Sequence, residues 1–145
     1  MDINIGASLT QVLRIEDSSQ VGHARRTARQ LAEQLGFDEN DAGRVALVTT
    51  ELASNVLKHA THGELHLRVL PRTSGFGIEI QTIDRANGFD LHACLADGFS
   101  SAGTQGIGLG AITRQAEVFD AYADDRGAVL MARLYPRGDR EADIR

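Results

Sequence analysis

Apolar residues recur at helical spacing in two stretches of the first half of the chain. The first stretch predicts a helix over residues 20–35, which follows the capping run Asp17 to Ser19 and ends at Gly36. The second stretch predicts a longer helix over residues 40–59. Its apolar stripe consists of Val45, Val48, Leu52 and Val56.

Alternation of apolar and polar residues predicts strands before the first helix, after the second, and near the end of the chain. The predicted strands cover residues 11–15, 64–70, 75–84, 119–123 and 128–134. A third helical pattern covers residues 107–118, and the stretch 85–105 before it has no periodicity and is interpreted as a long loop. Helices on one face of a mostly antiparallel, mixed sheet make a two-layer α/β (α+β) sandwich the expected fold class.

Length and composition fit a small soluble protein. We expect a single domain over residues 1–145, with a core over about residues 11–135 and a flexible tail over residues 136–145. The 15 Lys plus Arg and 20 Asp plus Glu give a net charge of −5, which argues against a nucleic-acid partner. Because the sequence has neither a signal-peptide pattern nor an apolar run of about 18 residues, we expect no membrane contact and a cytoplasmic location.

Cysteine and histidine give no strong indication of a metal site. The lone Cys94 cannot form an internal disulfide, and His59 and His62 lack the further ligand pair that a zinc site needs. The first helix also has a basic side. This side carries His23, Arg25, Arg26 and Arg29. Such a face is usually just solvated, but on an acidic protein it is also a candidate docking surface for a partner.

Three polar or glycine-rich segments follow one another in an order that suits an ATP site. The first holds Glu51 and Asn55, which lie one helical turn apart at the edge of the apolar stripe. The amide of Asn55 together with phosphate oxygens is enough to hold Mg²⁺, and Glu51 could take the proton of a hydroxyl that attacks the γ-phosphate. Lys58, one more turn along, is equally a phosphate contact or an ordinary exposed lysine.

Asp84 with Gly88 forms the second segment, and a glycine run forms the third. Asp84 could accept a hydrogen bond from the exocyclic amine of adenine, and Gly88 would let the chain pass close beneath the base. The glycine run precedes a helix, so its backbone amides are available to the triphosphate. The candidates in this run are Gly103, Gly106, Gly108, Leu109 and Gly110. Each segment alone is more often a solvated helix face, a turn or a loop, and only their combined order and spacing indicate a site.

These segments resemble the motifs of the GHKL superfamily of ATPases and kinases. Residues 51–60 resemble its N box with the sequence ELASNVLKHA, residues 84–88 resemble its G1 box with DRANG, and residues 103–110 resemble its G2 box. Short length and the lack of a phosphoacceptor histidine domain point within it to the bacterial anti-sigma-factor serine kinases. The segment 97–112, DGFSSAGTQGIGLGAI, is similar to the lid of the stressosome switch kinases. The resemblance covers about residues 11–135.

The resemblance implies a Bergerat-type ATP-binding fold and a role for each motif residue. Glu51 would be the general base, Asn55 the Mg²⁺ ligand and Asp84 the adenine acceptor, while the stretch from Gly88 to Gly110 would form a mobile lid. The implied function is that of an ATP- and Mg²⁺-dependent protein serine/threonine kinase in a partner-switching circuit. Its implied substrate is a STAS-domain antagonist or scaffold protein, and its implied output partner is a phosphatase.

Two residues depart from the family pattern. Ala86 replaces the first glycine of the D-x-G-x-G motif, which adds a methyl group under the base. Ala128 replaces the threonine that usually follows the glycine at position 127, which removes a hydroxyl near the adenine acceptor. We therefore expect weaker ATP binding with catalysis intact.

Two other functions remain open from the sequence. The chain could be an anti-sigma factor that sequesters a sigma factor, with kinase activity that only times its release. It could instead be a nucleotide-dependent binding module with little transfer activity. A stable homodimer with an exposed apolar face would favour sequestration, whereas a switch kinase can act as a monomer.

Overall fold

A five-stranded sheet runs through the part of the chain that the computed structural model describes, which is residues 10–59, 63–84, 109–124 and 127–138. The strands are β1 (Thr10–Ile15), β2 (Gly63–Pro71), β3 (Phe76–Asp84), β4 (Val118–Asp124) and β5 (Gly127–Leu134). Their order across the sheet is β1-β2-β3-β5-β4, and every described pairing is antiparallel. The described sheet is therefore antiparallel throughout, although the sequence had allowed for a mixed one.

Three helices accompany the sheet in the described residues: α1 (Ser18–Gln34), α2 (Glu39–His59) and α3 (Leu109–Gln115). The carboxylate of Asp17 caps α1 by accepting from the backbone N–H of Ser19 and of Gln20, and the Gln20 side chain completes a capping box. The hydroxyl of Ser19 and these N–H groups hold the pKa of Asp17 below its ordinary value. Gly36, with a φ of 91°, ends α1 in the left-handed region that favours glycine.

The core lies between the helices and one face of the sheet. Burial alternates along β2 and β5, and all the largest fully buried side chains are aliphatic. Helices α1 and α2 pack against each other and cover this face, while α3 packs against α2. The core side chains include Leu31, Val45, Val48, Leu52, Leu65, Leu67, Ile78, Ile80, Ile112, Leu130 and Leu134. These contacts confirm the expected two-layer sandwich.

The other face of the sheet carries charged and polar side chains. On this face Glu79 accepts from Arg133 at 2.9 Å and pairs with Arg68 at 3.7 Å. Exposed apolar side chains are scattered among them, including Val12 on β1 and Tyr122 on β4. Antiparallel sheets commonly expose one face in this way.

Two sequence boundaries differ from the structure. The third helix ends at Gln115, and Val118 begins β4, because the N–H of Glu117 already bonds to the carbonyl of Arg133 on the neighbouring strand. The second boundary is the start of the C-terminal tail, which we expected to be flexible from residue 136. The N–H groups of Arg137 and Gly138 donate to Oδ2 of Asp41 at 3.0 and 3.2 Å, so these residues are bound to α2.

No helix in the described ranges combines the length and the apolar character that crossing a membrane requires.

Candidate nucleotide site

Asn55 is the most unusual residue of the predicted site. Its side chain is only 4% exposed, so the expectation that it lies at the edge of the apolar stripe is wrong. Its Nδ2 is buried and has no hydrogen-bond partner among the described residues. A buried amide without a partner is costly, because the group has lost its bonds to water and gained none in return. Because Nδ2 is a donor, it is open to an acceptor such as a phosphate oxygen.

Glu51 and Lys58 lie on the same side of α2 as Asn55. Glu51 is one turn before Asn55 and is half-buried, which confirms its expected place at the border between core and solvent. Lys58 is exposed, near the C-terminal end of the helix. The structure therefore arranges a carboxylate, a buried amide and an ammonium group along one helix.

Asp84 ends β3 between the two smallest neighbours that a strand can offer. Its partner on β2 is Gly63, and its partner on β5 is Ala128. Asp84 is 6% exposed and belongs to the buried side of β3, like Thr82 two residues earlier. Asp84 therefore has no large side chain beside it on either neighbouring strand.

Gly63 lets the start of β2 lie close to α2. A Cβ at Gly63 would lie 2.2 Å from Cγ1 of Val56 and 3.4 Å from the carbonyl oxygen of Ile83. Only glycine allows α2 to approach the start of β2 so closely. Because Val56 adjoins Asn55 and Gly63 pairs with Asp84, this contact draws the buried amide and the buried carboxylate toward one end of the sheet.

The glycine run falls only partly within the described residues. Leu109 is 1% exposed and starts α3, so its side chain belongs to the core and only its backbone could serve a ligand. Gly110 lies in the first turn, and its carbonyl accepts from the Thr113 hydroxyl at 3.0 Å. Gly88, Gly103, Gly106 and Gly108 lie outside the described residues, as do Ala86 and most of the predicted lid.

A network of buried charges joins α2 to the far end of α3. Arg44 donates to Oδ1 of Asp41 at 2.8 Å and to both carboxylate oxygens of Glu117, at 2.9 and 3.0 Å. It also donates to the carbonyls of Gln115 and Tyr135. The network therefore fixes the helix that carries Glu51 and Asn55 against the helix that follows the glycine run.

Arg137 completes the network from the end of β5. Its Nε donates to Oε2 of Glu117 at 2.6 Å, and its guanidinium also reaches the carbonyl of Gln115 at 3.2 Å. Two arginines thus meet the last carbonyls of α3, where positive charge is favourable.

The two carboxyl groups of this network have lowered pKa values. Burial alone would raise the pKa of Asp41, but hydrogen bonds from the Arg44 side chain and from the N–H groups of Gly138 and Arg137 outweigh it. For Glu117, the N–H of Tyr135 and the side chains of Arg137 and Arg44 likewise outweigh the effect of burial on its pKa. Both groups are therefore held in the ionised form.

Sequence reasoning missed several residues that shape this site. The role of Gly63 beneath Val56 depends on how α2 packs on the sheet, and the glycine alone indicated only a chain break. The Arg44 network joins residues that are far apart in sequence, so no local pattern reveals it. One part of the network could have been predicted from local sequence, because Asp41 and Arg44 have the i, i+3 spacing of a helical ion pair.

The side chains of the candidate site suit a metal ion that is bound together with a nucleotide better than a metal ion bound by the protein alone. No group of three or more His, Cys, Asp and Glu side chains within the described ranges could hold a metal by itself. Mg²⁺ prefers oxygen ligands and keeps several waters, so one amide together with phosphate oxygens can suffice. The buried side chain of Asn55 fits that requirement.

Comparisons with known proteins agree with the geometry. Residues 16–134 match the family described as "Histidine kinase-like ATPase domain". The serine/threonine-protein kinase RsbT of Bacillus subtilis (strain 168) is 30% identical over 108 residues, which cover 74% of this chain and 81% of that protein. A chain in the crystal structure of the SiaB-SiaC complex from Pseudomonas aeruginosa has the same fold, with a TM-score of 0.57 at 11% identity over 90% of this chain and 92% of that one.

Proposed function

Since the chain belongs to the histidine kinase-like ATPase domain family and is an enzyme of the protein serine/threonine kinase class, we propose that it phosphorylates a STAS-domain antagonist protein in a bacterial partner-switching circuit. The comparisons confirm the family that the sequence predicts. The substrate class comes from the resemblance of the sequence to that family. The family implies the use of ATP.

The observation that carries the proposal is the buried amide of Asn55, whose Nδ2 has no hydrogen-bond partner among the described residues and which lies on the same helix face as Glu51. The Nδ2 group can donate to a phosphate oxygen, and Oδ1 of the same amide is the kind of oxygen that a hard metal ion takes as a ligand. We assign Asn55 to Mg²⁺, which would neutralise charge on the β- and γ-phosphates.

Asp84 is assigned to the base. Its carboxylate ends β3 on the buried side of the sheet, with the small residues Gly63 and Ala128 as its cross-strand partners. A carboxylate accepts a hydrogen bond from the exocyclic amine of adenine, whereas the keto oxygen at the same position of guanine offers no donor. This contact would select ATP over GTP.

Glu51 is assigned to the chemical step. The hydroxyl oxygen of a serine or threonine on the partner attacks the γ-phosphorus, and the bond from that phosphorus to the bridging oxygen of ADP breaks. The proton of the hydroxyl goes to the carboxylate of Glu51, which is one turn from the amide that we assign to the metal. The half-buried position of Glu51 leaves it accessible to a protein that docks from outside.

The test is phosphoryl transfer from radiolabelled γ-phosphate. The purified chain is mixed with MgATP and with a STAS-domain protein of the same organism, and the labelled residue is located by mass spectrometry. We expect label on one serine or threonine of that protein, and none when Mg²⁺ is chelated. Stable binding of a sigma factor without any transfer to the STAS-domain protein would contradict the proposal.

A further inference from the structure

An exposed apolar side chain lies next to the candidate base on the outer side of α2. Leu47 is 40% exposed and lies one turn before Glu51, on the same face of the helix. One turn before Leu47, Gly43 faces open space, since a Cβ there would meet nothing within 4 Å. The helix surface is therefore flat around Leu47 and leads directly to Glu51.

Basic side chains lie on the neighbouring helix. Arg25 and Arg26 are exposed on α1, and neither forms an ion pair within the described part of the chain. Arg29, one turn further along, already pairs with Glu33 at 3.6 Å. In a chain with a net charge of −5, these two arginines give the outer side of α1 a local positive charge.

The hairpin geometry places these residues at the same level along the two helices. Helices α1 and α2 pack against each other and are joined by a short connection, so they run antiparallel. Arg26 lies roughly nine residues before that connection, and Leu47 lies roughly nine residues after it. The two residues are therefore at the same level along the helix pair. Leu47, Arg25 and Arg26 together are called the Leu47 surface below.

A single exposed leucine would need no explanation by itself. Val12, Val118 and Tyr122 are also exposed, but they belong to strands and not to the helix that carries Glu51. Leu47 alone among these side chains is one turn from the candidate base. An apolar centre with an arginine rim is the usual composition of a protein interface.

We propose that the Leu47 surface binds the phosphoacceptor protein through an apolar pocket bordered by carboxylates on that partner. The overall negative charge of this chain would repel an acidic partner elsewhere and leave this surface as its favourable approach. The inference rests on the proposed function, because docking here matters only if the partner must present a hydroxyl to Glu51.

The test compares variants of this surface with matched variants on β1. Leu47→Asp and the double variant Arg25→Glu/Arg26→Glu change the proposed surface. Val12→Asp and Arg14→Glu introduce the same charges at exposed positions of the sheet. For each variant, KM and kcat are measured with the same STAS-domain protein as substrate, and MgATP binding is measured by calorimetry.

We expect Leu47→Asp and the arginine double variant to raise KM for the protein substrate by at least about tenfold, as for central interface residues. MgATP affinity and kcat at saturating substrate should stay within about twofold of wild type, as should every constant of the β1 variants. Raising the ionic strength should increase KM for wild type more steeply than for the arginine variant. Leu47→Ala replaces Leu47→Asp if the latter melts at a lower temperature than wild type.

The outcomes separate this inference from the proposed function. If wild type transfers phosphate and the Leu47 and arginine variants keep its KM, the docking surface is wrong and the kinase assignment stands. An equal rise of KM in the β1 variants would also overturn it and place the partner on the open face of the sheet. If wild type transfers no phosphate to the STAS-domain protein, the proposed function fails and the docking surface fails with it.

Discussion

Asp84 and Ala128 lie directly opposite each other on the paired strands β3 and β5. Both side chains are buried, at 6% and 3% exposure, and cross-strand partners point to the same face of a sheet. The position at which this chain lacks the family's threonine hydroxyl is thus immediately beside the carboxylate that we assign to adenine. The departure in sequence has a defined place in the structure.

Ala128→Thr should therefore tighten ATP binding relative to Ala128→Val, which has nearly the same shape without a hydroxyl. A hydrogen bond contributes about 0.5 to 1.5 kcal/mol between neutral groups and about 1.5 to 3 kcal/mol when one group is charged, so the expected difference in Kd is at least about 2-fold. Calorimetry of both variants with MgATP measures it, and the pair cancels the strain of adding two heavy atoms at a buried site. Equal Kd values for the two variants would show that the hydroxyl has no role.

Asn55→Ala should lose the Mg²⁺-dependent part of ATP binding with little loss of stability. The side chain is buried, but its Nδ2 makes no hydrogen bond among the described residues, so the variant gives up no such bond there. Thermal melts without nucleotide measure the change in stability, and melts with MgATP measure the change in nucleotide binding. A saturating ligand stabilises wild type by about 2.7 kcal/mol at 100 times its Kd, and this increment should disappear in the variant. Asn55→Ala with an unchanged MgATP increment would contradict the assignment.

Gly63→Ala should destabilise the protein by about 1 to 3 kcal/mol, the usual cost of forcing extra atoms into a packed site. The added Cβ would lie 2.2 Å from Cγ1 of Val56, so the end of α2 must move. Gly43→Ala is the matched control, because its Cβ meets nothing and alanine favours the helix by up to about 1 kcal/mol. Urea unfolding measures both variants. Equal stability of the Gly63 and Gly43 variants would mean that α2 does not rest on Gly63.

Local patterns in the sequence predicted much of the fold because the signals were themselves local. The capping residue Asp17 and the terminating Gly36 set the ends of α1 within a few residues, and alternation along β2 and β5 identified their buried faces. The candidate residues on α2 and β3 also followed from spacing.

Features that depend on tertiary packing were not predictable in this way. Asn55 was expected at the border of an amphipathic helix, but α2 packs against both the sheet and α3, so its buried sector is wider than the apolar stripe. Arg137 was assigned to a flexible tail because its neighbours are polar. Its partner Glu117 lies in the connection between α3 and β4, and the ion pair exists only after the sheet has formed.

The Arg44 network should dominate the acid stability of the protein. Asp41 and Glu117 have pKa values below their ordinary 3.8 and 4.5, so near these values the folded state binds fewer protons than the unfolded state. The contribution of these two carboxylates to the free energy of unfolding is complete at pH values above their ordinary pKa values. It is lost as the pH falls through their lowered pKa values. Thermal melts from about pH 3 to pH 7 should show a plateau above about pH 5, and Asp41→Asn with Glu117→Gln should flatten the fall below it.

Arg44→Ala should cost far more stability than Arg29→Ala. The side chain of Arg44 is 10% exposed, and its removal takes the shared guanidinium from Asp41 and Glu117. Glu117 keeps Arg137 and Asp41 keeps two backbone N–H donors, so the loss should approach but not exceed about 3 to 5 kcal/mol, the cost of a fully broken buried pair. Arg29 pairs with Glu33 at 3.6 Å on the exposed side of α1, where an ion pair contributes at most about 1 kcal/mol. Urea unfolding of the two variants at neutral pH gives the comparison. Similar losses would mean that the buried network adds nothing beyond a surface pair.

Glu51→Ala should abolish phosphoryl transfer while leaving ATP binding equal to wild type or stronger. Glu51 lies one turn from Asn55 and is half-buried, so it is placed to receive the proton of an acceptor hydroxyl, yet it offers the anionic phosphates only repulsion. Loss of a positioned general base lowers transfer by about 10² to 10⁴, and a role confined to the chemical step leaves the Kd for MgATP unchanged. Transfer to the STAS-domain protein and calorimetry with MgATP are measured on the same preparation, with Glu51→Gln as the variant that keeps the shape and removes the charge. Unchanged transfer would favour a nucleotide-dependent binding module over a kinase, whereas loss of ATP binding in both variants would mean that Glu51 organises the metal instead of accepting a proton.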